Sequence, residues 1–151
     1  MRSGQTWVLR GLAFALVLLV AGCGMRGSAS GRDSWPNTVQ ITRLTDVSGN
    51  HFPPFSQTVN NPADAQSLYR FIQGLPAFPG TISCPLDSGL YYRLTFSGQG
   101  KANQEVTARG SGCRQVVVRP GDLRQSTDAF WSELAQSTGV SEADFFVQPP
   151  R

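Results

Sequence analysis

Leu90-Tyr91-Tyr92-Arg93-Leu94-Thr95-Phe96 alternates large apolar residues with residues of mixed character. A period of two is that of a strand buried on one face. Leu90, Tyr92, Leu94 and Phe96 are therefore expected to face a core, and Tyr91, Arg93 and Thr95 to face away from it. A sheet with one apolar face needs a cover, and the chain on either side of this strand supplies both further strands and the cover.

Downstream, the turn residues Ser97-Gly98-Gln99-Gly100 separate it from Gln104–Arg109, a second strand with Val106 and Ala108 inward. Gly110-Ser111-Gly112 turns the chain again, and Cys113–Val118 reads as a third strand, stopped by Pro120-Gly121. A helix is expected over 128–138, capped by Thr127 and closed by Gly139, with Phe130, Leu134 and Trp131 toward the sheet. Phe145, Phe146 and Val147 form a last apolar tuck.

Upstream, Asp87-Ser88-Gly89 is a turn, and Thr81–Cys84 reads as a short strand ended by Pro85. Before it lies a helix that Asn61 can cap. Pro62 suits its first position, Asp64 complements its positive end, and Ala65, Leu68, Tyr69 and Ile72 form one stripe. Residues 46–59 read as a loop containing His51-Phe52-Pro53-Pro54-Phe55, and 38–44 as the first strand. The order is β-α-β-β-β-β-α. Short connections favour antiparallel neighbours, so the expected fold is α+β: an antiparallel sheet of four or five strands with two helices on one face and one disulfide, built from residues 38–151.

The first 22 residues carry an address. Arg2 and Arg10 precede an uncharged apolar run from Leu12 to Ala21, well short of the roughly 20 residues that span a bilayer. It suits the h-region of a secretory signal. The run ends Val20-Ala21-Gly22-Cys23, which resembles a bacterial lipobox: an aliphatic residue, two small ones and the cysteine that accepts lipid. Residues 1–22 are thus expected to be a lipoprotein signal peptide. Residues 23–37 would be lipidated Cys23 and a Gly/Ser-rich tether. The protein would sit on the extracytoplasmic side of the cell membrane, or of the outer membrane in a two-membrane cell, held there by several acyl chains on one residue.

Export alters the reading of composition. Of 13 basic and 10 acidic residues, Arg2 and Arg10 leave with the signal, so the mature chain is close to neutral and nucleic acid is not an expected partner. With Cys23 assigned to lipid, Cys84 and Cys113 remain as a pair in a compartment where disulfides persist. Closing a loop of about 30 residues would contribute about 3.5 kcal/mol. Two free thiols are the alternative, but there is no C-x-x-C, and one histidine supplies too few further ligands for zinc.

Leu75-Pro76, Cys84-Pro85 with Asp87, Gly89, Tyr92, Leu94 and Phe96, then Gly112-Cys113, Phe130-Trp131 and Leu134 together resemble a small domain that recurs in bacterial secreted proteins and lipoproteins. The resemblance spans residues 60–147. It implies turn residues, core residues and a crosslink, and carries no catalytic residue and no activity.

Most catalytic constellations are missing. His51 is the only histidine and lies in a Pro-rich loop; no serine sits in G-x-S-x-G, and no phosphate loop, dinucleotide fingerprint or calcium loop is present. No cofactor or metal is expected. Scattered carboxylates leave a hydrolase open. Tyr91 and Arg93, on the face opposite the helices, form either a binding surface or ordinary cross-strand pairs. Phe52 and Phe55 either join that surface or fold over an open end of the sheet. The expected function is a lipid-anchored, non-enzymatic binding domain for an envelope protein or wall polymer. A small envelope hydrolase, or a protease inhibitor presenting the 46–59 loop, is the alternative.

Overall fold

The structure, a computed structural model, describes residues 35–80 and 82–147. The proposed signal peptide, Cys23 and most of the tether lie outside the described residues. The strands are β1 (Thr38–Thr45), β2 (Ser56–Val59), β3 (Leu90–Ser97), β4 (Gln104–Arg109), β5 (Gln115–Arg119) and β6 (Asp122–Gln125). The helices are α1 (Pro62–Gln73) and α2 (Asp128–Thr138), followed by a 3-10 turn, Glu142–Phe145.

The strands form one antiparallel sheet in the order β2-β1-β3-β4-β5-β6. β3 lies inside the sheet, between β1 and β4. Tyr92 pairs with Arg43 on one side and Ala108 on the other, and Leu94 with Ile41 and Val106. Leu90, Tyr92, Leu94 and Phe96 are buried, together with Val39, Ile41, Val106, Ala108, Val116 and Val118. Both helices cover this face. Ala65, Leu68 and Ile72 of α1 and Phe130, Trp131 and Leu134 of α2 complete one cluster. The 3-10 turn adds Phe145, whose ring lies 5.2 Å from Tyr92 and 5.9 Å from Trp131.

Local chemistry explains the helix ends. Asn61 accepts from the Ala63 amide at 3.0 Å, and Thr127 from Phe130 N at 3.2 Å. Gly139 closes α2 in the left-handed conformation, φ 70°.

The sheet has six strands rather than the expected four or five, and three segments differ from the sequence reading. Ile82 to Cys84 form no strand. Both edges of β3 are already occupied by β1 and β4, so the segment just before β3 has no strand of its own to join. Ser56–Val59, expected as loop, is β2: Ser-Gln-Thr-Val is too polar to show alternation, yet it adds to the edge of β1. Pro120-Gly121 does not end the sheet but reverses the chain into β6, with Gly121 at φ 83°. The outer edge of β6 is in turn partly covered, as Phe78 N donates to Leu123 O and Gln125 N to Pro76 O.

Candidate functional site

β1 enters the sheet at Thr38 and carries the chain over eight residues, about 25 Å, to an end built from three loops. These are 46–55 after β1, 82–89 before β3 and 110–114 between β4 and β5. We call this end the tip.

Loop 82–89 has no regular hydrogen-bonding pattern, and its shape is imposed from outside. Cys84 is disulfide-bonded to Cys113, with Cα atoms 4.8 Å apart. Cys113 is buried while Cys84 is exposed, so the crosslink nails an exposed loop to the domain floor. Three residues later Asp87 is held independently. Its Oδ1 accepts from Ser111 Oγ at 2.5 Å and from the Gly89 amide at 2.9 Å, and its Oδ2 faces Arg109 Nη1 at 3.5 Å. Ser111 Oγ also accepts from Ser88 N at 3.2 Å. Gly112, at φ 62°, allows this approach, because a Cβ there would stand 2.9 Å from the Asp87 carboxyl.

Arg109 joins this loop to its neighbour. Nη2 binds Asp46 Oδ2 at 2.8 Å, so one guanidinium spans Asp46 and Asp87. Asp46 N also donates to Gly89 O at 3.2 Å and Asn50 Nδ2 to Ser88 O at 2.7 Å. Burial works against the charge on Asp87, but the Ser111 and Gly89 hydrogen bonds and the Arg109 charge outweigh it and hold the carboxyl below its ordinary range. The hydrogen bond to Asp46 raises Arg109 above the usual guanidinium value.

Between the two anchors stand Pro85 and Leu86. Leu86 is 97 % exposed, against 39–43 % for Val47, Ile82 and Leu123, the other exposed large apolar residues among those described. A single exposed leucine is ordinary. One raised on a loop pinned on both sides is not. Beside it lies a cavity of about 260 Å³ lined in part by Leu90, Ser111, Arg114 and Phe146. Arg114, at φ 48°, lays its guanidinium over Phe146 at 4.3 Å.

Ser111 hydrogen-bonds a carboxylate whose lowered pKa makes it a weak base. His51 is exposed. No group of three metal-ligating side chains occurs among the described residues.

The residues singled out in the sequence fall on two sides of the sheet. Tyr91, half-buried, and Arg93, exposed, lie on the open face. There Arg93 Nε approaches Glu105 Oε2 at 3.9 Å, a pair too solvated to matter much. Phe55 lies on the helix side, with its ring 5.8 Å from Tyr92 and 5.4 Å from Phe145, and the Arg43 guanidinium 5.0 Å from its centre. Arg43 shares the face of its register partner Tyr92 and holds the loop through Pro53 O at 2.9 Å. Phe52 is half-buried against the same core. The sheet therefore stands between Phe55 and the Tyr91–Arg93 pair, and the four residues form no continuous surface. Sequence reading passed over Leu86 and Arg109. The available signal was an apolar residue stranded between a Cys-Pro pair and an Asp-x-Gly turn, outside any alternation.

Compared with known proteins, the chain matches no family model, and neither a curated protein nor a solved structure is significantly similar to it.

Proposed function

We propose that this chain is a lipid-anchored, extracytoplasmic binding domain that offers loop 82–89 to the cleft of an endopeptidase and so acts as a protease inhibitor. The observation that carries the reading is Leu86, almost wholly exposed between a disulfide two residues before it and the Asp87 network immediately after it. A flexible substrate loses conformational freedom when it enters a cleft; a loop already fixed loses little, which favours tight binding. Leu86 suits the hydrophobic S1 slot of a chymotrypsin-like enzyme. Pro85 fixes the backbone just before it.

The same anchors explain why such a loop would resist consumption. Hydrolysis of the Leu86–Asp87 bond adds one water, leaving a carboxyl on Leu86 and an amine on Asp87. The first half stays tied through Cys84, the second through Asp87 to Ser111, Gly89 and Arg109. With neither end free to leave, expulsion of that water and re-formation of the amide compete with loss of product. Lipid on Cys23 would hold the inhibitor outside the membrane, and the tether would leave the tip free to meet its enzyme.

The test uses the full chain with chymotrypsin and with trypsin, whose S1 pocket carries a carboxylate. The wild-type chain should inhibit chymotrypsin and not trypsin. Leu86→Lys should reverse that preference, and slow cleavage on long incubation should map to Leu86–Asp87. No inhibition of chymotrypsin, or an unchanged preference in Leu86→Lys, would overturn the reading.

A further inference from the structure

Resting on that reading, we infer that Val47 is a second specificity contact, fitting an apolar rim of the protease cleft on the side that receives residues after the Leu86–Asp87 bond.

Of the exposed large apolar residues among those described, Ile82 precedes Leu86 in the loop and Leu123 belongs to the edge strand β6. Val47 belongs to a different loop but is packed onto the residues that follow Leu86. Its Cγ2 lies so close to Gly89 that a Cβ on that glycine would stand 2.4 Å away. Three further contacts fix the two segments together: Asp46 N to Gly89 O, Asn50 Nδ2 to Ser88 O, and Arg109 shared between Asp46 and Asp87. Loop 46–50 therefore moves with residues 87–89 as one piece.

The separation of Val47 from Leu86 is within the reach of an inhibitor–protease interface. Gly89 is three residues beyond Leu86, about 10 Å along an extended chain. An inhibitor–protease interface of about 800 Å² per partner, drawn as a disc, has a radius of about 16 Å. Val47 beside Gly89 lies within it. The contact Val47 itself offers is apolar, and the Asp46 carboxylate beside it is held by the guanidinium it shares with Asp87, which leaves a surplus negative charge next to that contact. An enzyme with an acidic rim at that place would leave its charge desolvated against Val47 and beside the surplus negative charge of Asp46 and Asp87, and would bind less well.

The experiment measures inhibition of chymotrypsin by full-length Val47→Asp and Val47→Ser, with melting temperature recorded and Leu86→Lys assayed against trypsin alongside. Val47→Asp should weaken inhibition about tenfold. Val47→Ser, which removes apolar surface without adding charge, should weaken it roughly threefold while the domain stays folded, with a melting temperature lowered by only a few degrees. If the aspartate variant fails to fold, the serine variant decides. Wild-type inhibition by folded Val47 variants, with Leu86→Lys still transferring inhibition to trypsin, would overturn this inference alone. Leu86→Lys without effect would overturn the inhibitor reading and this inference with it.

Discussion

Gly112→Ala tests the architecture of the tip through one methyl group. Gly112 sits at φ 62°, and an added Cβ would lie 2.9 Å from Cγ and Oδ2 of Asp87 and 3.0 Å from its Cβ. The left-handed backbone alone costs an alanine about 1–2 kcal/mol. Asp87 cannot simply step aside, since its carboxylate accepts from Ser111 Oγ at 2.5 Å and Gly89 N at 2.9 Å. Loosening two hydrogen bonds costs about 0.5–1.5 kcal/mol each, and with the Asp87 side chain 41 % exposed the low end applies. The sum is about 2–3 kcal/mol. Urea unfolding of the full chain, followed by tryptophan fluorescence to which buried Trp131 contributes, should show a midpoint lowered by roughly 1–2 M. The decisive comparison repeats the substitution in an Asp87→Gly background. With nothing left to strike, the cost should fall to the backbone part, about 1–2 kcal/mol. An equal cost in both backgrounds would refute the proposed packing of Gly112 on Asp87, and a neutral Gly112→Ala would refute the left-handed turn as well.

Tyr92→Ala should destabilise the domain by about 3–5 kcal/mol, because the ring is fully buried and its hydroxyl accepts from Arg43 Nε and donates to Phe145 O, each at 3.0 Å. Tyr91→Ala, on the open face, should cost under about 1 kcal/mol; thermal unfolding separates the two, and the reverse order would invert the faces of β3. Asp87 has its pKa lowered by folding, so its contribution to stability is present above the unfolded value, about 3.9, and is lost as pH falls through the lower folded value. The protection factor of the Gly89 amide, its exchange rate relative to an unstructured chain at the same pH, should accordingly fall as Asp87 takes up its proton, and Asp87→Asn should flatten that acid limb; a protection factor unchanged across the acid range would count against the network. Cys23→Ser should abolish incorporation of labelled fatty acid and release the protein from the membrane fraction, whereas persistent label would dispose of the lipid anchor.

Much of this fold is legible in the sequence because its causes are local. The alternation of Leu90–Phe96 marks a strand buried on one face, since the side chains of a strand have no choice but to change face at each residue. Asn61, Thr127 and Gly139 mark helix ends because a cap is a bond within three or four residues of its donor or acceptor. The pairing of Cys84 with Cys113, expected from the sequence once Cys23 is set aside for the proposed lipid, is present in the structure.

What the sequence could not say depends on partners distant along the chain. Ser56–Val59 is a strand only because the edge of β1 is free, and Ile82–Cys84 is not one because both edges of β3 are taken. Arg109 is an unremarkable end-of-strand residue until folding brings it to Asp46, 63 positions away, and to Asp87, 22 positions away. Phe55 looked free to join Tyr91 and Arg93 until Arg43, fixed on the helix side by its register with Tyr92, drew its loop around that side. Leu86 drew no notice in the sequence, where an apolar residue is expected to be buried. Its exposure follows from the two anchors beside it: Cys84 and Asp87 are each tied to the 109–113 turn, and the short segment between them has no route back to the core.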